Sequence, residues 1–131
     1  MPILSTEINA AQTNSTQFVD LPGLVITLPP GTETLKHALV TLNIPAAFCN
    51  GLALVDFGIN FNGALVASGQ TNFPLRVTGD LGGIQGSESF TLVTRVKLGT
   101  ANTKVRAQWK VANAQNMASV RGSTSFTATI A

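Results

Sequence analysis

The feature that most constrains the fold is a run of strict alternation in the last third of the chain. Val105, Ala107, Trp109 and Val111 interleave with Lys104, Arg106, Gln108 and Lys110. A helix would scatter these apolar residues around its circumference, whereas an extended strand puts all four on one face. The segment therefore reads as a half-buried strand. Phe90, Leu92, Val96 and Leu98 alternate in the same way with Ser89, Arg95 and Lys97. Thr124, Phe126, Ala128 and Ile130 face a second parity of hydroxyls, Ser123, Ser125, Thr127 and Thr129. Gly99-Thr100-Ala101-Asn102 joins the first two of these segments and predicts a hairpin. That hairpin would gather Arg95, Lys97, Lys104, Arg106 and Lys110, five of the eight Lys and Arg residues, on one polar face.

Earlier strands are apolar on both parities. Ala38, Val40, Leu42 and Ile44 share one face, yet Leu39 sits with His37, Thr41 and Asn43 on the other. Ala53, Val55, Phe57, Ile59 and Phe61 likewise oppose Leu52 and Leu54 beside Asp56, Gly58 and Asn60. A chain of 131 residues has room for a single domain, 1–131, and few places to bury both faces of a strand. Self-association is the economical explanation. Turn residues punctuate the chain at Pro22-Gly23, Pro29-Pro30-Gly31, Asn50-Gly51, Asn62-Gly63 and Gly82-Gly83. Ala112 to Ser119 has no sustained apolar stripe and reads as a loop with at most one turn. About eight to ten short strands at this spacing predict an all-β fold, an antiparallel sandwich of jelly-roll type.

Composition narrows the function. With 44% hydrophobic and only 11% charged residues, the chain buries a core, and its net charge of +2 reflects few charges rather than a basic field. Nucleic acid is not an expected partner, because the basic face lacks the interleaved aromatics that stack on bases. No apolar run approaches the 18 or so residues of a spanning helix, so no membrane insertion is expected. Met1 to Ala10 has neither a basic start nor an apolar segment, which predicts a cytoplasmic protein or one released by a non-classical route. One cysteine, Cys49, and one histidine, His37, make neither an internal disulfide nor a His/Cys metal cage.

Catalytic patterns are missing too. There is no G-x-S-x-G elbow, and His37 reads as a structural strand residue. The carboxylates Glu7, Asp20, Glu33, Asp56, Asp80 and Glu88 form no close pair in sequence. Asp56 to Gly63 misses the spacing of a calcium loop. The glycine-rich stretch Gly79 to Gly86 leads into a strand rather than the helix a phosphate cradle needs, and Asn14-Ser15-Thr16 is a formal glycosylation triplet without an export signal. The expectation is a protein that is not an enzyme and needs no cofactor.

Five segments together carry a resemblance: Met1-Pro2-Ile3-Leu4-Ser5, Phe18-Val19-Asp20-Leu21-Pro22-Gly23-Leu24, Leu42-Asn43-Ile44-Pro45, Phe90-Thr91-Leu92-Val93 and Gln108-Trp109-Lys110. Across nearly the whole chain, the sequence resembles the TNF-like fucose-binding lectin domain found at the N-terminus of a bacterial two-domain superlectin. The resemblance implies a jelly-roll protomer, a compact homotrimer, and metal-free glycan sites between neighbouring protomers.

The implied pocket departs from the family's pattern. Phe48 stands where the family has a tyrosine, Asp56 replaces a second tyrosine, and Asn72-Phe73 replaces a Thr-Tyr pair. The family's Ser-Thr-Gly-Arg loop falls on Ile84-Gln85-Gly86-Ser87, and a further arginine falls on Asn113, so both pocket arginines are absent. Arg121 is a loose substitute. Phe48 and Phe73 would offer rings to a pyranose, while Asp56, Asn72, Gln85 and Asn113 would hydrogen-bond its hydroxyls. The alternative is a trimeric structural or adhesion module in which the phenylalanines pack an interface and the polar residues form turns.

Overall fold

Each alternating segment is a strand, and the strands stack as two antiparallel sheets. The computed structural model describes residues 2–49, 53–73 and 87–131, with the backbone alone at 48, 53, 71–73, 87 and 88. The elements are β1 (Ile3–Thr13), β2 (Val19–Leu28), β3 (His37–Cys49), β4 (Ala53–Phe61), β5 (Ala64–Phe73), β6 (Ser87–Lys97), β7 (Thr103–Val111) and β8 (Ala118–Ile130). One sheet has the order β1-β8-β3-β6 and the other β2-β7-β4-β5. Among the described residues no helix is long and apolar enough to cross a membrane.

The inward parities meet between the sheets. Val105, Ala107, Trp109 and Val111 of β7 are buried against Ala38, Val40, Leu42 and Ile44 of β3, together with Phe126, Ala128 and Ile130 of β8. An aromatic stack runs through the middle: Phe57 lies 6.1 Å from Trp109 and 5.0 Å from Phe90, centroid to centroid. Gly69 pairs with Phe57 in the β4–β5 register, and its missing side chain leaves room for the Phe90 ring.

Two expectations are corrected. The Gly99–Asn102 turn is not a hairpin, because β6 edges one sheet while β7 lies inside the other. Arg95 and Lys97 therefore belong to one outer face and Lys104, Arg106 and Lys110 to the opposite one. Alternation states which residues of a strand face the core but not which strand it pairs with, and two strands facing each other across a core satisfy the same pattern. Pro22-Gly23 is not a turn between strands either. It forms a bulge within β2, where the register with β7 shifts between Asp20 and Val25 and Gly23 adopts φ +87°. The bulge moves the buried parity from Leu21 to Leu24, Ile26 and Leu28.

Other turn signals hold. Asn62 (φ +53°) and Gly63 (φ +83°) form the tight turn of the β4–β5 hairpin, and the Gly63 N–H donates to Asn60 Oδ1 at 3.0 Å. Residues 112–117 form a loop between β7 and β8. Asn50-Gly51 and Gly82-Gly83 lie outside the described residues, as does the whole glycine-rich stretch Gly79 to Gly86. On the outer face of the first sheet, Ile3, Leu39 and Val93 remain 65%, 47% and 51% exposed.

Candidate functional site

The antiparallel registers of β4 with β5 and with β7 place three polar residues in one row: Asp56 pairs with Gln70 on one side and Lys110 on the other. All three stand on the polar parity of their strands and so share the outer face of the sheet. The row is held by one hydrogen bond and one ion pair. Gln70 Nε2 donates to Asp56 Oδ1 at 2.7 Å, and Lys110 Nζ lies 3.8 Å from Asp56 Oδ2. Lys110 Nζ also sits 4.9 Å from the centroid of the Phe18 ring. A cation over a ring face is attracted by the ring's quadrupole.

Gly58, one outward position along β4 from Asp56, explains how the ring reaches the row. A Cβ on Gly58 would stand 3.2 Å from Phe18 Cε1 and 2.6 Å from Leu65 Cδ1. The bare backbone thus lets both side chains lie close against the strand. Phe18, Asp56, Ser68, Gly69, Gln70 and Lys110 line a cavity of about 340 Å³, which falls within the range of small-molecule sites.

A second carboxylate on this face, Asp20, is bonded differently. Asp20 accepts from Arg106 Nη1 at 3.0 Å through Oδ2 and from Gln108 Nε2 at 2.9 Å through Oδ1. Both of its oxygens are engaged by short bonds. In contrast, among the described residues Asp56 Oδ2 has the long lysine contact alone, with a side chain 26% exposed against 39% for Asp20. A carboxylate offers about four lone-pair positions. Asp56 therefore keeps acceptor capacity facing the cavity, with a ring and an ammonium group beside it.

The six residues singled out in the sequence are distributed as follows. Asp56 lines the cavity. Asn72 pairs with Leu54 and Phe73 with Ala53, two and three register positions beyond the Asp56 row, while Phe48 pairs with Ser87 and Ser119. The side chains of Phe48, Asn72 and Phe73 lie outside the described residues, as does Gln85. Asn113 follows β7 in the loop at the same end of the sandwich, and the preceding Ala112 N–H donates to Leu54 O at 3.0 Å. Its side chain is used locally: Asn113 Oδ1 accepts from the Gln115 N–H at 3.0 Å.

Phe18, Ser68, Gln70 and Lys110 are not among the site residues the sequence points to. They come from three separate segments, and only the pairing register makes them neighbours. Among the described residues no three of His, Cys, Asp and Glu come together as a metal site would require. Burial pushes the Cys49 thiol pKa up, which makes it less nucleophilic at neutral pH.

Comparison with solved structures finds similar sandwiches of low sequence identity. The C-terminal domain of EclA, described as a sugar-binding protein, matches with a TM-score of 0.52 at 13% identity over 88% of this chain and 76% of its own. A CBM36-1 domain of a multidomain xylanase, from the hindgut metagenome of Trinervitermes trinervoides, matches with a TM-score of 0.50 at 14% identity over 99% and 98%. Latent PorU from Porphyromonas gingivalis gives a TM-score of 0.63 at 7% identity over 98% of this chain. The insecticidal delta-endotoxin Cry8Ea1 from Bacillus thuringiensis gives 0.54 at 12% over 93%. This chain spans only 12% of PorU and 19% of the endotoxin. At these identities the likeness shows the fold alone. No curated protein matches the sequence. Residues 8–131 match the family model described as Bc2l-C, N-terminal domain.

Proposed function

The chain belongs to the Bc2l-C N-terminal domain family, and on that premise we propose that it is a lectin that binds a neutral glycan without a metal. The observation that carries this reading is the open oxygen of Asp56 in a cavity shared with Phe18, Gln70 and Lys110. Vicinal hydroxyls of a pyranose donate to the carboxylate, Lys110 donates to a third hydroxyl, and the apolar face of the sugar lies against the phenyl ring. Lys110 leaves the ring face as the sugar arrives.

The protomer is a jelly roll in this reading, which the strand orders β1-β8-β3-β6 and β2-β7-β4-β5 support. It assembles as a homotrimer. Support comes from Ile3, Leu39 and Val93, exposed apolar residues on the outer face of the first sheet, where a second copy of the chain would cover them. Symmetric repetition of weak sites then gives avidity on a glycan-coated surface. Fucose is not the obligatory ligand. A carboxylate acceptor at Asp56 replaces a phenol and both family arginines are absent, so donors and acceptors are exchanged and the preferred hydroxyl pattern changes with them.

One observation favours a second reading, a trimeric structural or adhesion module. Asn113, which stands at an arginine position, uses its side chain to shape its own loop. A glycan array separates the two. Signal from neutral glycans that disappears in Asp56→Ala supports the lectin, and background-level signal across neutral and acidic sugars overturns it.

A further inference from the structure

The opposite end of the sandwich carries a second cavity, of about 610 Å³, where the loop before β3 folds over the β6–β7 crossover. Its walls are tied by backbone bonds: the Gly31 N–H donates to Gly99 O and the Leu98 N–H to Lys36 O, each at 2.8 Å. The rim is basic. Lys36 and Lys97 line the cavity with exposed side chains, alongside the hydroxyls of Thr32 and Thr100, and no carboxylate lines it. Glu33, in the same loop, is exposed and outside the lining. Thr32 Oγ1 accepts from the Leu35 N–H at 2.9 Å, which fixes the hydroxyl oxygen and leaves its hydrogen to donate outward.

A third cation stands beside this rim. Arg95 Nη2 lies 3.2 Å from His37 Nδ1, and His37 pairs with Lys97 in the β3–β6 register. A guanidinium only donates, so Nδ1 is the acceptor and the imidazole carries its hydrogen on Nε2. The contact therefore leaves the Arg95 charge uncompensated. Two lysines line the cleft and Arg95 stands outside its lining, while Ala131 O accepts from the Lys36 N–H at 3.1 Å; the lysine charges lower the energy of an anion placed there. The Asp56 pocket differs in kind: its lysine is partly neutralised by the carboxylate beside it.

We infer that this cleft is a second ligand site, selective for an oxyanion such as a sulfate or phosphate ester carried on a saccharide. Lys36 and Lys97 grip the charged group, and Thr32 and Thr100 donate to its oxygens. The site lies more than roughly 20 Å along β7 from Lys110, so it acts independently of the pocket proposed for neutral glycans and does not rest on that reading.

The test is an amide-resolved NMR titration of the whole chain with a sulfated tetrasaccharide, and separately with inorganic sulfate and inorganic phosphate. The expected result is movement of the Gly31, Thr32, Gly99 and Thr100 amides with all three, at lower concentration for the tetrasaccharide than for the free ions. Lys36→Ala/Lys97→Ala weakens tetrasaccharide binding by about tenfold or more. Lys104→Ala, on the opposite outer face, leaves it unchanged. Overall folding of each variant is read from the same spectra. Failure of the four amides to move, or an equal loss in Lys104→Ala, overturns the inference.

Discussion

Replacing Gly69 by alanine tests how tightly the floor of the Asp56 cavity is built into the core. A Cβ at this position would stand 2.6 Å from Phe90 Cζ and 3.2 Å from Cε2. Carbon atoms in good contact are separated by about 3.5–4.0 Å, so the ring must withdraw by roughly 1 Å. It has little freedom to do so, because it stacks 5.0 Å from Phe57, which in turn stacks on the buried Trp109. Overpacking of this kind costs about 1–3 kcal/mol. The loss of glycine's backbone freedom in the unfolded chain offsets roughly 0.5–1 kcal/mol of that. Gly69→Ala should therefore lose about 1–2 kcal/mol, a fall in Tm of roughly 3–10 °C for a domain of this size. Calorimetry at one fixed protein concentration measures it, since self-association makes Tm depend on concentration. In a Phe90→Leu background the clash is gone and the same substitution should cost almost nothing. An unchanged or raised Tm in the single variant, or an undiminished cost in the double one, would refute the reasoning.

Leu39→Asp/Val93→Asp places charges on the exposed apolar face of the first sheet, and light scattering should report a monomeric mass for the variant and a trimeric mass for the parent protein. An unaltered mass would put the interface elsewhere. Gly63 has φ +83° and open space around its Cβ position, so Gly63→Ala should cost only the left-handed strain of about 1–2 kcal/mol in denaturant unfolding; no loss at all would contradict the turn geometry. Burial raises the Cys49 pKa, so less thiolate is present at a given pH and alkylation at pH 8 should run about tenfold or more slower in the native protein than in denaturant. Equal rates would show the thiol to be accessible.

Burial was the legible part of this fold. Alternation at Lys104 to Val111 and at Ser123 to Ile130 states which side chains face inward, and those residues form the core. Pairing was not legible, because the same alternation fits a hairpin and a crossover between sheets, and Gly99–Asn102 is the latter. Pro22-Gly23 misleads for a related reason: a glycine at φ +87° serves a bulge as well as a turn. The site follows the same division. Asp56 was singled out through the family resemblance, where it replaces a tyrosine. Its neighbours Phe18, Gln70 and Lys110 are 38, 14 and 54 residues away along the chain, and their contacts depend on the registers of β4 with β5 and β7. Nothing in local periodicity encodes those registers.

The central claim is that a neutral glycan is held by the Asp56 carboxylate, and calorimetric titration of the parent protein and Asp56→Ala tests it most directly. Each is titrated with fucose and with the strongest neutral glycan from the array. Removing a hydrogen bond to a charged group costs roughly 1.5–3 kcal/mol, a factor of ten or more in affinity. The expected result is weak or undetectable fucose binding by the parent protein, and measurable binding of the array glycan that is lost in Asp56→Ala. Tight fucose binding that survives Asp56→Ala would contradict it.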